Sequence, residues 1–74
     1  MKVRVLFFAM LRERMKKDFA DYDAAPGESA GALAKRLLKM HPPLLFAVNQ
    51  NYVSADHVLQ DGDEVAFIPP VAGG

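Results

Sequence analysis

The residues best placed to do chemistry are the last ones, in the stretch Asp61-Gly-Asp-Glu-Val-Ala-Phe-Ile-Pro-Pro-Val-Ala-Gly-Gly74. Asp61-Gly62 signals a tight turn, since glycine takes the positive φ that such turns require. Val65 and Phe67 then alternate with Ala66 and Ile68, a strand pattern. Pro69 and Pro70 end it, because neither ring nitrogen can donate to a sheet ladder. Val71 and Ala72 lead on to Gly73 and Gly74, which puts a free carboxylate on a narrow, unbranched stalk. Extended chain at roughly 3.3 Å per residue, over the stretch from Pro69 to Gly74, can stand it about 20 Å off the domain. Without Cβ atoms, Gly73 and Gly74 can pass through a slot too tight for other residues, and the terminal carbonyl is open to attack. A carboxylate is inert until activated, so a partner enzyme has to supply the activation. The competing reading is a frayed end in which the two glycines have no function.

The other side chains offer less. His41 is expected at a helix end, a surface position that suits the helix dipole. His57 follows Asp56, but one Asp-His pair without a cysteine or second histidine is a poor metal site. Ser29 and Ser54 read as a cap and a turn residue, with no base arranged beside them. Asp61, Asp63 and Glu64 lack the spaced ligands of a calcium loop. The five glycines, at 27, 31, 62, 73 and 74, are too scattered for a phosphate loop. There is no cysteine, which removes thiol nucleophiles, cysteine-based metal sites and side-chain persulfides, and leaves the fold unstapled. The domain is expected to bind no cofactor and no metal, and to act through its surface or its terminus.

The elements that must position this tail form one small domain. Seventy-four residues at 51% hydrophobic content suffice for one core and not for two. The expected division is a folded unit over 1–68 and an extended tail over 69–74. Zero net charge argues against a nucleic-acid binder of the bulk electrostatic kind. No apolar run is long enough for a membrane span or a signal peptide, so a cytoplasmic protein without membrane attachment is expected. The charges are segregated along the chain. Lys2, Arg4, Arg12, Arg14, Lys16 and Lys17 crowd the first stretch, whereas only Asp56, Asp61, Asp63 and Glu64 are charged from position 41 onward. That pattern reads either as an acidic surface around the tail, steering the domain onto a basic partner, or as ordinary solvated turns.

In chain order, Lys2 to Phe8 is the strongest strand, with Val3, Val5 and Phe7 on one face and Lys2, Arg4, Leu6 and Phe8 on the other. Ala9 to Lys17 reads as a short helix with Leu11 and Met15 inward. Asp18 to Ala25 is a weaker strand, with Phe19 and Tyr22 as its expected buried side chains. Their opposite parity leaves an ambiguous register or a bulge. Ser29 looks like the N-cap of the principal helix, whose stripe is Ala30, Leu33, Ala34, Leu37 and Met40. Gly31 costs that helix about 1 kcal/mol relative to Ala and suggests a loose first turn. Pro42-Pro43 ends it at His41 or earlier. Leu44 to Asn49, Tyr52 to Ser54 and Glu64 to Ile68 follow as strands, with Val58-Leu59 anchoring the loop before the last. The order β-α-β-α-β-β-β is most economically an α+β domain, a single mixed sheet packed on one main helix.

Leu6 and Phe8 on the second face of the first strand require a cover on both faces or a partner on the outer one. If the first and last strands are neighbours, Leu6, Phe8, Ala66 and Ile68 make one apolar surface at the root of the tail, with Tyr52 beside it. The alternative is scattered exposed hydrophobics of the kind any protein carries.

Leu6-Phe-Phe-Ala-Met-Leu-Arg-Glu13, Ala47-Val-Asn-Gln50, Val53-Ser54, Asp56-His57, Asp61-Gly-Asp-Glu-Val-Ala-Phe67 and Pro69-Pro-Val-Ala-Gly-Gly74 together resemble the small subunits of molybdopterin synthase, a family of sulfur carriers. The resemblance implies a ubiquitin-like β-grasp fold with the first and last strands side by side. It also implies that a ubiquitin-activating-like adenylyltransferase, using ATP, adenylates the Gly74 carboxylate, and that sulfur from a donor enzyme replaces AMP to leave a thiocarboxylate. The tail, Pro69, Pro70, Val71, Ala72 and Gly73, would then enter the large synthase subunit. There the sulfur would pass to cyclic pyranopterin monophosphate to build the molybdopterin dithiolene. The partner face implied by the resemblance falls on Phe8, Tyr52 and Ile68. A carrier for thiazole or another thio-metabolite, and a ubiquitin-like modifier or binding module, are the alternatives.

Overall fold

Strict alternation builds the first strand, β1 (Lys2–Phe7), in which Val3, Val5 and Phe7 are buried while Lys2 and Arg4 face water. The computed structural model describes residues 1–39 and 44–69. Along it follow α1 (Met10–Met15), β2 (Phe19–Asp23), α2 (Ala30–Leu38), β3 (Leu45–Val48), β4 (Asn51–Val53) and β5 (Glu64–Ile68). The strands form one sheet in the order β2-β1-β5-β3-β4. β5 lies in the middle, parallel to β1 and antiparallel to β3. This is the mixed sheet with one main helix, the ubiquitin-like β-grasp, that the sequence implies.

The core lies between the sheet and α2. Val3, Val5, Phe7, Phe46, Val48, Val65 and Phe67 come from the strands, and Ala30, Leu33, Ala34 and Leu38 from the helix. Phe67 is its centre, with edge-to-face contacts to Phe46 at 5.8 Å and Phe7 at 6.4 Å between ring centroids, a favoured geometry for aromatic pairs. Ala30, Leu33 and Ala34 of the expected stripe are buried and Leu37 is half-buried, but it is Leu38 that completes the helix's contribution. Met40 and the Pro42-Pro43 stop lie outside the described residues.

Local chemistry explains where α2 starts and stops. The Ser29 hydroxyl accepts from the Ala32 N–H at 3.1 Å, the N-cap bond that satisfies one of the first free amides. Lys39 closes the helix in the left-handed region, its N–H bonded to the Lys35 carbonyl. The expected looseness at Gly31 does not occur. The Gly31 N–H donates to the Ala55 carbonyl at 2.9 Å, and a Cβ built on Gly31 would stand 2.9 Å from the Ala55 Cβ. Gly31 is where the 54–59 segment crosses the helix, and its missing side chain admits the crossing. Leu59, almost fully buried, anchors that segment, whereas Val58 is half-exposed.

A clasp ties the entry of α2 to the end of β2. The Glu28 carboxylate accepts from the Ala25 N–H and from two nitrogens of Arg36, at 2.9 to 3.0 Å. Arg36 also donates to the Asp23 carbonyl at 2.8 Å. The guanidinium, and then the backbone amide, hold the Glu28 carboxyl below the usual range, against the opposing effect of burial.

The second strand corrects the sequence reading. β2 pairs with β1 in regular antiparallel register, Leu6 opposite Phe19 and Val3 opposite Tyr22, so no bulge resolves the parity conflict. Tyr22 points inward to Phe7, while Phe19 is on the outer face and half-exposed. The Arg4 guanidinium lies 4.6 Å from its ring centroid, a cation–π contact that lets a phenylalanine sit beside water.

Candidate functional site

The outer face of the sheet, opposite α2, is where the residues singled out in the sequence meet. Strand register places Phe19, Leu6, Ala66, Ala47 and Tyr52 in one row across all five strands. Two of the three inner members are alanines, so the row dips in the middle and rises at its flanks. A cavity of about 200 Å³ occupies the dip, lined by Leu6, Phe8, Ala47, Tyr52, Ala66 and Ile68, with Gln50 and Glu64 on its rim. Phe8, Tyr52 and Ile68 thus come together, as do Leu6 and Ala66.

Each wall is positioned by a local feature. Tyr52, 75% exposed, stands on a three-residue edge strand. It is held there by a two-residue turn in which Asn49 and Gln50 both have positive φ, the combination that matches hairpin twist. Phe8 leaves β1 at Ala9, whose φ of 52° and ψ of −128° are a glycine-like conformation for a residue with a Cβ. The Leu11 and Arg12 amides then bond back to the Phe8 and Ala9 carbonyls to start α1. Ile68 is half-buried and Pro69, the first tail residue, is buried. Pro70, Val71, Ala72, Gly73 and Gly74 lie outside the described residues.

Two contributors were missed by sequence reasoning. Leu45, 54% exposed, pairs with Ile68 across β3 and β5. Phe19, half-exposed, extends the row to the far edge. For Leu45 the signal was present, since it shares parity with Ala47 and not with the buried Phe46. For Phe19 it was not, because both of its strand's aromatics were candidates for the core.

Asp61 and Asp63 do not lie at the root of the tail, Ile68 and Pro69. Asp61 and Asp63 precede β5, so they sit one strand length, about 13 Å, from Ile68. They serve the turn there. Asp61 accepts from the Lys2 N–H, and Asp63 accepts from the Gln60 N–H and the Asn49 side chain. Among the described residues, Glu64 is the acid that lines the cavity. On the outer face, too, Arg4 bonds Asp21 at 3.0 Å, which raises the one pKa and lowers the other.

The remaining candidates take structural roles. Ser29 is a cap, and His57 takes part through its backbone, its N–H on the Ser54 carbonyl and its own carbonyl on the Ala30 N–H. His41 lies outside the described residues. Among the described residues no three His, Asp or Glu side chains are grouped to hold a metal, and no helix is long and apolar enough to cross a membrane.

Comparison with known proteins accords with this geometry. The ThiS family matches residues 5–74. The molybdopterin synthase sulfur carrier subunit of Escherichia coli is 44% identical over an alignment spanning 97% of this chain and 99% of the relative. Among solved structures, a putative molybdopterin converting factor subunit 1 from Pyrococcus furiosus superposes with a TM-score of 0.80 at 30% identity, covering 96% of this chain and 99% of that one. SAMP1 from Haloferax volcanii, at 19% identity, shares the fold with a TM-score of 0.82 over the whole of both chains. The chain therefore belongs to the ThiS family, in company with the molybdopterin synthase sulfur carrier subunits.

Proposed function

We propose that this chain is the sulfur carrier subunit of molybdopterin synthase, with the Gly74 carboxylate as its working group. The observation that carries the reading is the apolar outer face at the root of the Gly-Gly tail. It supplies a docking surface for a large subunit. The ATP-dependent activating partner converts the carboxylate to an acyl adenylate with release of pyrophosphate, and sulfur then displaces AMP to give the thiocarboxylate. The domain contributes grip and reach. Phe8, Tyr52 and Ile68 seat on the partner, and the five residues beyond Pro69 span about 16 Å into its active site. Gly73 and Gly74 make the last steps of that passage narrow enough. Sulfur transfer to cyclic pyranopterin monophosphate uses the partner's catalytic groups, so the chain takes part in catalysis by the complex as its sulfur-donating subunit.

The test is intact-mass measurement of the full chain after incubation with the adenylating enzyme, ATP and a sulfur donor. Exchange of one oxygen for sulfur at the terminus is expected, and its loss when one residue is added after Gly74. An isopeptide adduct on lysine in place of that exchange would instead make the chain a protein modifier.

A further inference from the structure

Five of the nine Lys and Arg residues, Arg12, Arg14, Lys16, Lys17 and Lys39, lie at the end of the sheet where Ile68 leads into Pro69, against two acids, Glu13 and Asp18. β1 and β5 are parallel with Phe7 beside Phe67, so the segment that follows Phe8 caps the same end of the sheet as Ile68. That segment carries Lys16 and Lys17 and returns to the sheet where the Phe7 N–H bonds the Asp18 carbonyl. The C-terminus of α2 arrives there too, since Arg14 donates to the Leu38 carbonyl at 3.1 Å, and it brings Lys39. Lys16, Lys17 and Lys39 are exposed. The ion pairs Lys2–Asp23, Arg4–Asp21, Arg12–Asp18 and Arg36–Glu28 leave these three without an acidic partner among the described residues. At the other end, Asp61 and Asp63 are bound into a turn. A chain of zero net charge is therefore a dipole whose positive pole lies at the end of the sheet where Ile68 leads into Pro69.

We propose that this pole docks on an acidic protein surface around the opening that receives the tail, with Lys16, Lys17 and Lys39 setting the approach. The sign is opposite to that suggested by the run of acids late in the sequence. This inference rests on the sulfur-carrier reading, because only a tail-receiving partner makes tail-first orientation useful. A dipole turned this way orients the domain before contact, and it acts on the association rate more than on the lifetime of the complex.

Stopped-flow association of the full chain with the large synthase subunit of the same organism tests it. The rate constant of the wild type is expected to fall as salt rises. A Lys16→Glu/Lys17→Glu/Lys39→Glu variant should associate about tenfold more slowly at low salt and converge with the wild type at high salt. Dissociation rates should match. Asp56→Lys, at the opposite end, should not slow association. Lys16→Gly/Lys39→Gly removes two charges while relaxing two left-handed caps, so it separates loss of charge from loss of folding. It should show an intermediate drop. Wild-type rates in the charge variants, or a wild-type rate that rises with salt, would overturn the inference while leaving the carrier reading intact. Failure of the wild type to bind the subunit, with salt-sensitive binding to RNA or to anionic vesicles instead, would overturn both.

Discussion

The two faces of the sheet are built from the same strands, one residue apart, and they have opposite fates. On the inner face Val5, Phe7, Phe46, Val65 and Phe67 are sealed under α2. On the outer face their neighbours Leu6, Ala47, Ala66 and Ile68, with Tyr52 and Phe8 around them, form an apolar dip with no element over it among the described residues. Away from Lys2, Arg4 and Glu64, the outer face is apolar too. The difference lies in the cover, and a covered apolar face stabilises the fold whereas a bare one serves association.

The sharpest way to break that contrast is at its two extremes. Phe67→Ala should lower stability by about 3–5 kcal/mol, enough to leave most of such a small domain unfolded, as read by denaturant titration. Gly31→Ala should lower stability by about 1–3 kcal/mol, because the new Cβ strikes the Ala55 Cβ and crowds its carbonyl oxygen. This is the reverse of what helix propensity predicts, and a gain of stability would mean that the crossing segment is not holding the helix on the inner face. On the outer face Phe8→Ala and Ile68→Ala should weaken binding to the large subunit by about 1–2 kcal/mol with a smaller change in folding. Calorimetry and thermal melts together read both quantities, and equal loss of stability in the two variants would move them into the core.

Smaller effects refine the comparison. The Glu28 carboxyl is held below its ordinary pKa in the folded state, so its contribution is full above the ordinary carboxyl range. It is lost as pH falls through the lower, folded value. Urea melts across that acid range should show the decline, and Glu28→Gln should flatten it. Ala9→Gly should stabilise the fold by about 1 kcal/mol, by removing a Cβ from a strained positive-φ backbone, while leaving the Phe8 ring in place for binding.

Most of the architecture was legible because it is local. Alternation in Lys2–Phe7 and Glu64–Ile68 and the cap at Ser29 gave the elements, and the parity of Leu6, Phe8, Ala66 and Ile68 gave the outer surface. What stayed hidden depends on partners distant in sequence. Phe19 could not be assigned a face until its register with Leu6 was known. Gly31 read as a weakness because the residue that needs its space, Ala55, is 24 positions away. The late acids appeared to surround the tail because nearness in sequence was taken for nearness in space, and a single strand separates them.

The parallel pairing of β1 with β5 also dictates when the domain can exist. β5 is the centre of the sheet and follows the other four described strands in the chain. Until it emerges, β1 and β3 have no common neighbour and the nascent chain is two unjoined fragments, an extreme of non-local topology. A chain that lacks β5 therefore cannot close the sheet, and neither the core around Phe67 nor the outer dip around Ala66 can form without it.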